Sequence, residues 1–149
     1  MLTARGEGQA RIVGAALTRM EGDFEAILFS PKVRARQTAE IAAEGWTEAQ
    51  RGLLSVHPPL ASGFDGSDAL DALAGSSADG RVLLVGHEPD LSNVIADLTG
   101  ARADLKKGGL AVMRLEGTRG ELTVLMRPRE LALIAEPVLG AVGVPLGGD

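Results

Sequence analysis

The chain has 149 residues and a formal net charge of -5 at pH 7; 45% of its residues are hydrophobic and 23% are charged. These values are typical of one globular domain, and the acidic balance argues against a protein that binds nucleic acid nonspecifically. The chain contains no cysteine and only two histidines, so we expect no disulfide, no cysteine nucleophile and no histidine-rich metal site. It also lacks a long apolar run and a signal-peptide pattern, which leads us to expect a cytoplasmic protein without a membrane partner.

The first half of the chain alternates between predicted helices and short apolar strands. Thr3 is a candidate N-cap for the first helix, and Gly22 is a candidate stop. Pro58 and Pro59 end the second strand, because proline cannot donate a hydrogen bond to a sheet. The predicted elements are a helix over residues 1–22, a strand over 25–29, a helix over 30–44 and a strand over 53–56.

The second half contains the strongest predicted strand, the run R-V-L-L-V-G at residues 81–86. Its continuous apolar character predicts burial on both faces within a parallel sheet. The other predicted elements are a helix over residues 67–73, a helix whose apolar face runs from residue 91 to 98 and which stops at Gly100, a hairpin of 110–115 and 122–126, and a helix over 129–135.

This order of elements predicts an α/β fold in which helices cover both faces of a mostly parallel sheet. The expected architecture is a three-layer α/β/α sandwich that ends in a hairpin and a helix. We find no internal repeat and no boundary between domains, so residues 1–135 are predicted to form one domain. Residues 136–149, which contain proline and repeated glycine, are predicted to be a flexible tail.

The stretch S-P-K-V-R-A-R-Q-T-A at residues 30–39 directly follows the first predicted strand. Ser30 is predicted to cap the next helix, with Pro31 in its first position. A helix N-terminus gathers unpaired N–H groups and partial positive charge, and Arg34 adds donors suited to phosphate. The stretch therefore predicts a phosphate site; a surface arginine on an ordinary amphipathic helix is the alternative.

His87 directly follows the strand over residues 81–86, at a second junction between a strand and a helix. An imidazole with a pKa near neutrality can serve as an acid, a base or a phosphate ligand. Ligands in α/β sheets bind beyond the carboxyl ends of the strands, so we expect Arg34 and His87 on one rim. The sequence does not show that the two strands are neighbours, and a structural histidine is the alternative.

Two carboxylates near these junctions, Glu88 and Asp65, are candidate general acids. A capping or surface role is the alternative for both, and Asp65 precedes a predicted helix, where carboxylates interact favourably with the helix dipole. Lys106 and Lys107 are either solvated loop charges or groups that attract an anionic substrate. No nucleotide-binding loop and no serine hydrolase elbow occur in the sequence.

Four stretches, in the same order along the chain, resemble segments of the histidine phosphatase superfamily. Residues 2–10 resemble its L-T-x-x-G-x-x-Q-A helix opening, residues 30–39 its S-P-x-x-R-A-x-Q-T-A segment, and residues 86–89 its second histidine motif. Residues 105–109, L-K-K-G-G, are similar to the small bacterial branch of SixA-type phosphohistidine phosphatases. The resemblance implies the phosphoglycerate mutase-like fold.

The resemblance also implies a mechanism. In this family the histidine of an R-H-G motif attacks phosphorus and becomes phosphohistidine, which water then hydrolyses. The resemblance implies catalytic and phosphate-binding roles for Arg34 and His87, a phosphate-binding role for Ser30, and no metal or organic cofactor. An R-H-G motif does not occur in the 149 residues, and neither His57 nor His87 matches its histidine.

The missing motif leads to two expectations. The family strand that carries R-H-G lies inside the sheet, beside the strand that residues 81–85 match, so we expect a start site assigned too late or a truncated chain. The chain as given is expected to have negligible phosphatase activity, because the covalent route needs the missing nucleophile.

The resemblance narrows the substrate to phosphohistidine on a protein. The segment between Pro59 and Arg81 is short, which leaves little material for a cap over the pocket, and an open pocket suits a phosphorylated side chain of another protein. Two alternatives stay open. One is a non-catalytic phosphate-binding or interaction remnant, and the other is a phosphatase of small phosphorylated metabolites.

Overall fold

The computed structural model describes residues 1–20 and 22–139. Its helices are α1 (Ala4–Arg19), α2 (Val33–Ala42), α3 (Glu48–Arg51), α4 (Gly66–Leu73), α5 (Asp90–Thr99) and α6 (Pro128–Leu139). Its strands are β1 (Ala26–Phe29), β2 (Leu54–Val56), β3 (Val82–Val85), β4 (Leu110–Glu116) and β5 (Arg119–Met126). Short 3-10 turns occupy Ala43–Gly45 and Pro58–Ala61. No helix within the described ranges has both the length and the apolar character needed to cross a bilayer.

The strands form two sheets. β1 is the central strand of a parallel sheet with the order β2-β1-β3, and Ile27 pairs with Leu54 on one side and with Leu83 on the other. β4 and β5 form the predicted antiparallel hairpin. Gly117 in the hairpin turn has a φ of 63°, a conformation that glycine adopts without steric cost.

Helices cover the three-stranded sheet on both faces. α1 packs against α2 and α6, whereas α4 packs against α5. One core cluster consists of Ala15, Ala16, Leu17, Leu110, Leu131 and Ala135, and the other of Leu60, Phe64, Ala69, Val94 and Leu98. Successive side chains of β3 point to opposite faces, so Leu83 packs against the first cluster and Leu84 against the second. This arrangement confirms the predicted three-layer α/β/α architecture.

Two residues, Thr3 and Gly14, determine where α1 begins and how closely it packs against α2. Thr3 caps α1, as predicted, since its Oγ1 atom accepts the N–H of Gly6 at 3.0 Å. Gly14 allows α1 to approach α2, because a Cβ atom there would lie 2.0 Å from the carbonyl oxygen of Ala42. The carbonyl of Gly14 accepts the indole N–H of Trp46 at 3.1 Å, which ties the connection after α2 to α1.

Burial of β3 differs from the prediction. All four residues of Val82–Val85 are half-buried, although the apolar run predicted burial on both faces. The physical reason is the strand order: β3 is an edge strand that pairs only with β1 within the described ranges. An apolar sequence indicates that both faces of a strand can be buried, but it does not indicate whether the strand has neighbours on both edges.

Several predicted boundaries also shift. The structure shows the short helix α3 between residues 44 and 53, where no helix was predicted. The last helix runs to Leu139, beyond the predicted end at Ala135. The rest of the predicted tail, residues 140–149, lies outside the described residues. Helix α5 ends as predicted at Gly100, whose φ is 76°.

Candidate active site

The two junctions between strands and helices meet at one edge of the sheet. Phe29 at the end of β1 pairs with Val85 at the end of β3, and the N–H of Ser30 donates to the carbonyl of Val85 at 3.0 Å. The Nε2 atom of His87 then lies 2.8 Å from the Oγ atom of Ser30. The structure thus supplies the strand adjacency that the sequence left open.

Ser30 is completely buried and does not cap the helix that follows it. The exposed fraction of Ser30 is 0%, and its Oγ atom accepts the N–H of Lys32 at 3.2 Å. The N-cap of α2 is Lys32, which makes no side-chain capping bond, and Pro31 lies before the helix. The predicted cap was wrong because the Ser30 hydroxyl closes a tight local turn and meets His87 instead.

Arg34 lies in the first turn of α2, and its side chain is exposed. Partial burial of the imidazole lowers the pKa of His87 below its ordinary value of 6.5, and the positive charges of Lys32 and Arg34 lower it further. The carboxylate of Asp90 acts in the opposite direction. His87 and Arg34 therefore share one electrostatic environment, next to the N-terminus of α2, where positive charge favours an anion.

The Glu88 side chain forms hydrogen bonds at the start of α5. Its carboxylate accepts the N–H of Ser92 at 3.0 Å and also the hydroxyl of Ser92. The Ser92 Oγ atom in turn accepts the N–H of Leu105 at 3.0 Å, which attaches the loop after α5 to that helix. The structure favours a capping and bridging role for Glu88. Ser92 was not predicted as a functional residue, because no local sequence pattern signals a partner that lies 13 residues away.

Asp65 is the N-cap of α4. Its Oδ1 atom accepts the N–H of Asp68 at 3.0 Å, and the carboxylate of Asp68 accepts the N–H of Asp65 at 3.0 Å, which completes a capping box. The capping alternative for Asp65 is therefore the one that the structure displays, and its side chain is not in hydrogen-bond contact with His87 or Arg34.

Comparisons with known proteins show which sequences and folds this chain resembles. Residues 1–53 match the family model of the histidine phosphatase superfamily (branch 1). The chain is 33% identical to an uncharacterized protein of Picosynechococcus sp. (strain PCC 7002) over 146 residues, which cover 87% of this chain and 84% of that protein.

The chain belongs to the histidine phosphatase superfamily. Its fold is that of the SixA-type proteins. The protein histidine phosphatase SixA complexed with tungstate superposes with a TM-score of 0.76 at 23% identity, over 87% of this chain and 85% of that one. A protein assigned as the phosphohistidine phosphatase SixA of Agrobacterium tumefaciens gives a TM-score of 0.67 at 20% identity, over 85% and 83% of the two chains.

A third similar fold belongs to a protein of Escherichia coli that is assigned as an alpha-ribazole-5'-P phosphatase. Its TM-score is 0.62 at 20% identity, over 86% of this chain and 85% of that chain. At such identities the three structures establish the fold of this histidine phosphatase superfamily member, and they leave its substrate to other arguments.

The N-terminal segment of this superfamily member lies beside the helix that carries Arg34. The N–H of Leu2 donates to the Oε1 atom of Gln37 at 2.8 Å, and Gln37 lies one turn after Arg34 on α2. The two stretches that resemble the family's first and second segments are therefore in contact in the folded chain.

The other polar candidates lie elsewhere. His57 follows β2, and its ring contacts Phe64 edge-on with centroids 6.1 Å apart, which agrees with a loop residue packed at its strand end. The Nζ atom of Lys106 pairs with Asp104 at 2.7 Å in an exposed salt bridge. Gly108 has a φ of 77° and lies against the side chain of Gln9, so this loop contacts α1.

Proposed function

We propose that this chain is a phosphatase-type protein whose site holds the phosphoryl group of phosphohistidine on a partner protein, in the cytoplasm. Arg34 and His87 contact the phosphoryl oxygens, and Ser30 holds His87 in place. The observation that carries the proposal is the meeting of the two junctions, in which the Ser30–His87 contact of 2.8 Å joins the segment of Arg34 to the segment of His87.

The chemistry of these groups suits a phosphoryl group. The Arg34 guanidinium offers a planar set of N–H donors that matches two phosphoryl oxygens, and the start of α2 adds positive potential. Such groups stabilise the charge that moves onto the oxygens during phosphoryl transfer. The likeness to a SixA structure that holds tungstate, a tetrahedral oxyanion, supports the same ligand class.

The packing of the segment between β2 and β3 supports a protein substrate. Leu60, Phe64 and Ala69 of this segment are each 1% exposed and belong to the second core cluster. The segment therefore forms part of a helical layer instead of a cap over the site. A phosphorylated side chain on a large partner protein can enter an open site more easily than an enclosed one.

The carboxylates support a phosphoramidate as the substrate. Both candidate acids, Glu88 and Asp65, hold backbone N–H groups at helix starts. Imidazole is a better leaving group than an alkoxide, so the cleavage of phosphohistidine needs less help from a general acid. A phosphatase of small phosphate esters releases an alkoxide and would depend more on a general acid.

Oxyanion binding tests the site directly. We expect the 149-residue chain to bind tungstate, and Arg34→Ala to weaken the affinity about 10- to 100-fold, the value of charge-assisted hydrogen bonds. Arg36→Ala is the matched control, because it removes the same charge from the same helix, while Arg36 lies over the Phe29 ring at 5.8 Å. Equal effects of the two substitutions would refute a specific role for Arg34.

Turnover tests the catalytic half of the proposal. We expect the 149-residue chain to release negligible phosphate from a phosphohistidine-bearing protein, because neither of its histidines occupies the place of the R-H-G nucleophile. Intact mass spectrometry of the natural protein decides how this applies in the cell. A heavier species with R-H-G would indicate an active enzyme, whereas a species that begins at Met1 would favour the non-catalytic phosphate-binding alternative.

A panel of substrates separates the remaining alternative. If the natural protein carries R-H-G, we expect it to hydrolyse phosphohistidine on a protein faster than small phosphate esters. A preference for the esters would favour a phosphatase of small metabolites, the activity that is assigned to the similar Escherichia coli structure.

A further inference from the structure

The hydrogen bonds of Ser30 restrict where its proton can go. A serine hydroxyl has one proton to donate and two lone pairs with which to accept. The Ser30 Oγ atom accepts the N–H of Lys32 at 3.2 Å and lies 2.8 Å from Nε2 of His87. Ser30 is 0% exposed, so water does not take its proton. Within the described part of the chain, the hydroxyl has no third partner.

Only one direction of the Ser30–His87 bond satisfies both groups. If Nε2 carried the imidazole proton and donated it, the Ser30 hydroxyl would accept twice and its own proton would be buried without an acceptor, which is unfavourable. If the hydroxyl donates to an unprotonated Nε2, its donor and one of its lone pairs are both used. The neutral imidazole then carries its proton on Nδ1.

The Nδ1 atom of His87 is open to the site. It has no hydrogen-bond partner in residues 1–20 and 22–139. No side-chain nitrogen or oxygen in those residues is both buried and unpartnered, so Nδ1 is accessible to solvent or ligand. A protonated Nδ1 at this position is a hydrogen-bond donor without a protein acceptor, in the same environment as the Arg34 guanidinium.

We infer that Ser30 is a positioning residue that fixes His87 as the Nδ1–H tautomer, so that Nδ1–H donates to an oxygen of the bound phosphoryl group. The donation to a phosphoryl oxygen rests on the proposed function; the fixed tautomer does not. The lowered pKa of His87 agrees with a neutral ring, since burial and the charges of Lys32 and Arg34 disfavour the imidazolium and only Asp90 favours it.

Nitrogen NMR of the imidazole ring tests the tautomer directly. His57→Gln leaves His87 as the sole histidine of the chain, so its ring signals need no further assignment. Well above the ordinary histidine pKa of 6.5, we expect a protonated Nδ1 and an unprotonated Nε2. A spectrum in which Nε2 carries the proton, or in which the two nitrogens share it equally, would overturn the inference without any further variant.

Substitution of Ser30 tests the cause. In the same background, Ser30→Ala is expected to let the proton exchange between the two nitrogens and to weaken tungstate binding about fivefold, the net value of one hydrogen bond. Ser30→Thr keeps the hydroxyl and is expected to restore the single tautomer. Ser92→Ala is the control, because Ser92 also holds a hydroxyl at a helix start but bonds to Glu88 and Leu105. An unchanged tautomer in Ser30→Ala would contradict the inference.

Tungstate separates this inference from the proposed function. If the wild-type ring is the Nδ1–H tautomer but tungstate neither binds nor moves the Nδ1 signal, the positioning role stands and the phosphoryl site fails. If tungstate binds and the ring is the Nε2–H tautomer, the site stands and the inference about Ser30 fails.

Discussion

Gly14 of α1 faces Ala42 at the end of α2 so closely that a Cβ atom on Gly14 would lie 2.0 Å from the Ala42 carbonyl oxygen. The neighbouring carbonyl carbon would be at 2.7 Å, so the obstacle is backbone rather than a movable side chain. This contact sets how closely α1 approaches α2, the helix that carries Arg34 in its first turn.

The contact predicts opposite effects for the same substitution at two glycines of α1. Gly14→Ala is expected to lower the free energy of unfolding by roughly 1–3 kcal/mol or more, because the helices must move apart. Gly8→Ala is expected to raise it by about 0.5–1 kcal/mol, because nothing lies within 4 Å of a Cβ there and alanine favours the helix. Urea unfolding of both variants checks the pair; a Gly14→Ala variant as stable as wild type would refute the close approach.

The capping box at Asp65 predicts that its side chain matters for stability rather than as an acid. Asp65→Ala is expected to lower the free energy of unfolding by about 0.5–2 kcal/mol, whereas Asp65→Asn keeps an N-cap oxygen and should stay close to wild type. Neither change is expected to alter tungstate affinity. Equal losses of stability in the two variants, measured by urea unfolding, would show that the charge rather than the cap is what matters.

The environment of His87 predicts how stability changes with pH. Its pKa is lowered in the folded chain, so below the ordinary value of 6.5 the unfolded chain binds more protons than the folded one. The contribution of His87 to the free energy of unfolding is therefore complete above pH 6.5 and declines as the pH falls from there through the lowered folded pKa. Unfolding curves across this range, with His87→Asn for comparison, should show a shallower pH dependence in the variant; identical slopes would contradict the lowered pKa.

The bridge from Glu88 through Ser92 to Leu105 predicts where the loop after α5 is held. Ser92→Ala removes the Oγ atom that accepts the Leu105 N–H, and hydrogen exchange at that amide should become faster. Ser77→Ala is the matched control, because it also removes a serine hydroxyl, but the hydroxyl of Ser77 bonds to Glu25 at an exposed position and not to Leu105. Unchanged protection of Leu105 in Ser92→Ala would show that other contacts hold the loop.

Local sequence predicted much of the fold. The apolar runs and their periods predicted β1, β3, α1, α5 and the hairpin, because side-chain spacing reflects which face of an element is buried. The Thr3 cap and the Gly100 stop were also predicted, since both depend on neighbours within a few residues. The resemblance of residues 2–10 and 30–39 to the histidine phosphatase superfamily agrees with the family match over residues 1–53, and the predicted fold agrees with that of the similar SixA structure.

The sequence by itself determined the elements, the chemistry available at the junctions after β1 and β3, and the absence of an R-H-G motif among these 149 residues. Only the tertiary structure decided that β1 and β3 are neighbours, that Ser30 meets His87, and that β3 lies at an edge. The physical reason is that strand order depends on contacts between residues distant along the chain, such as the 57 positions that separate Ser30 from His87, and no local period encodes them.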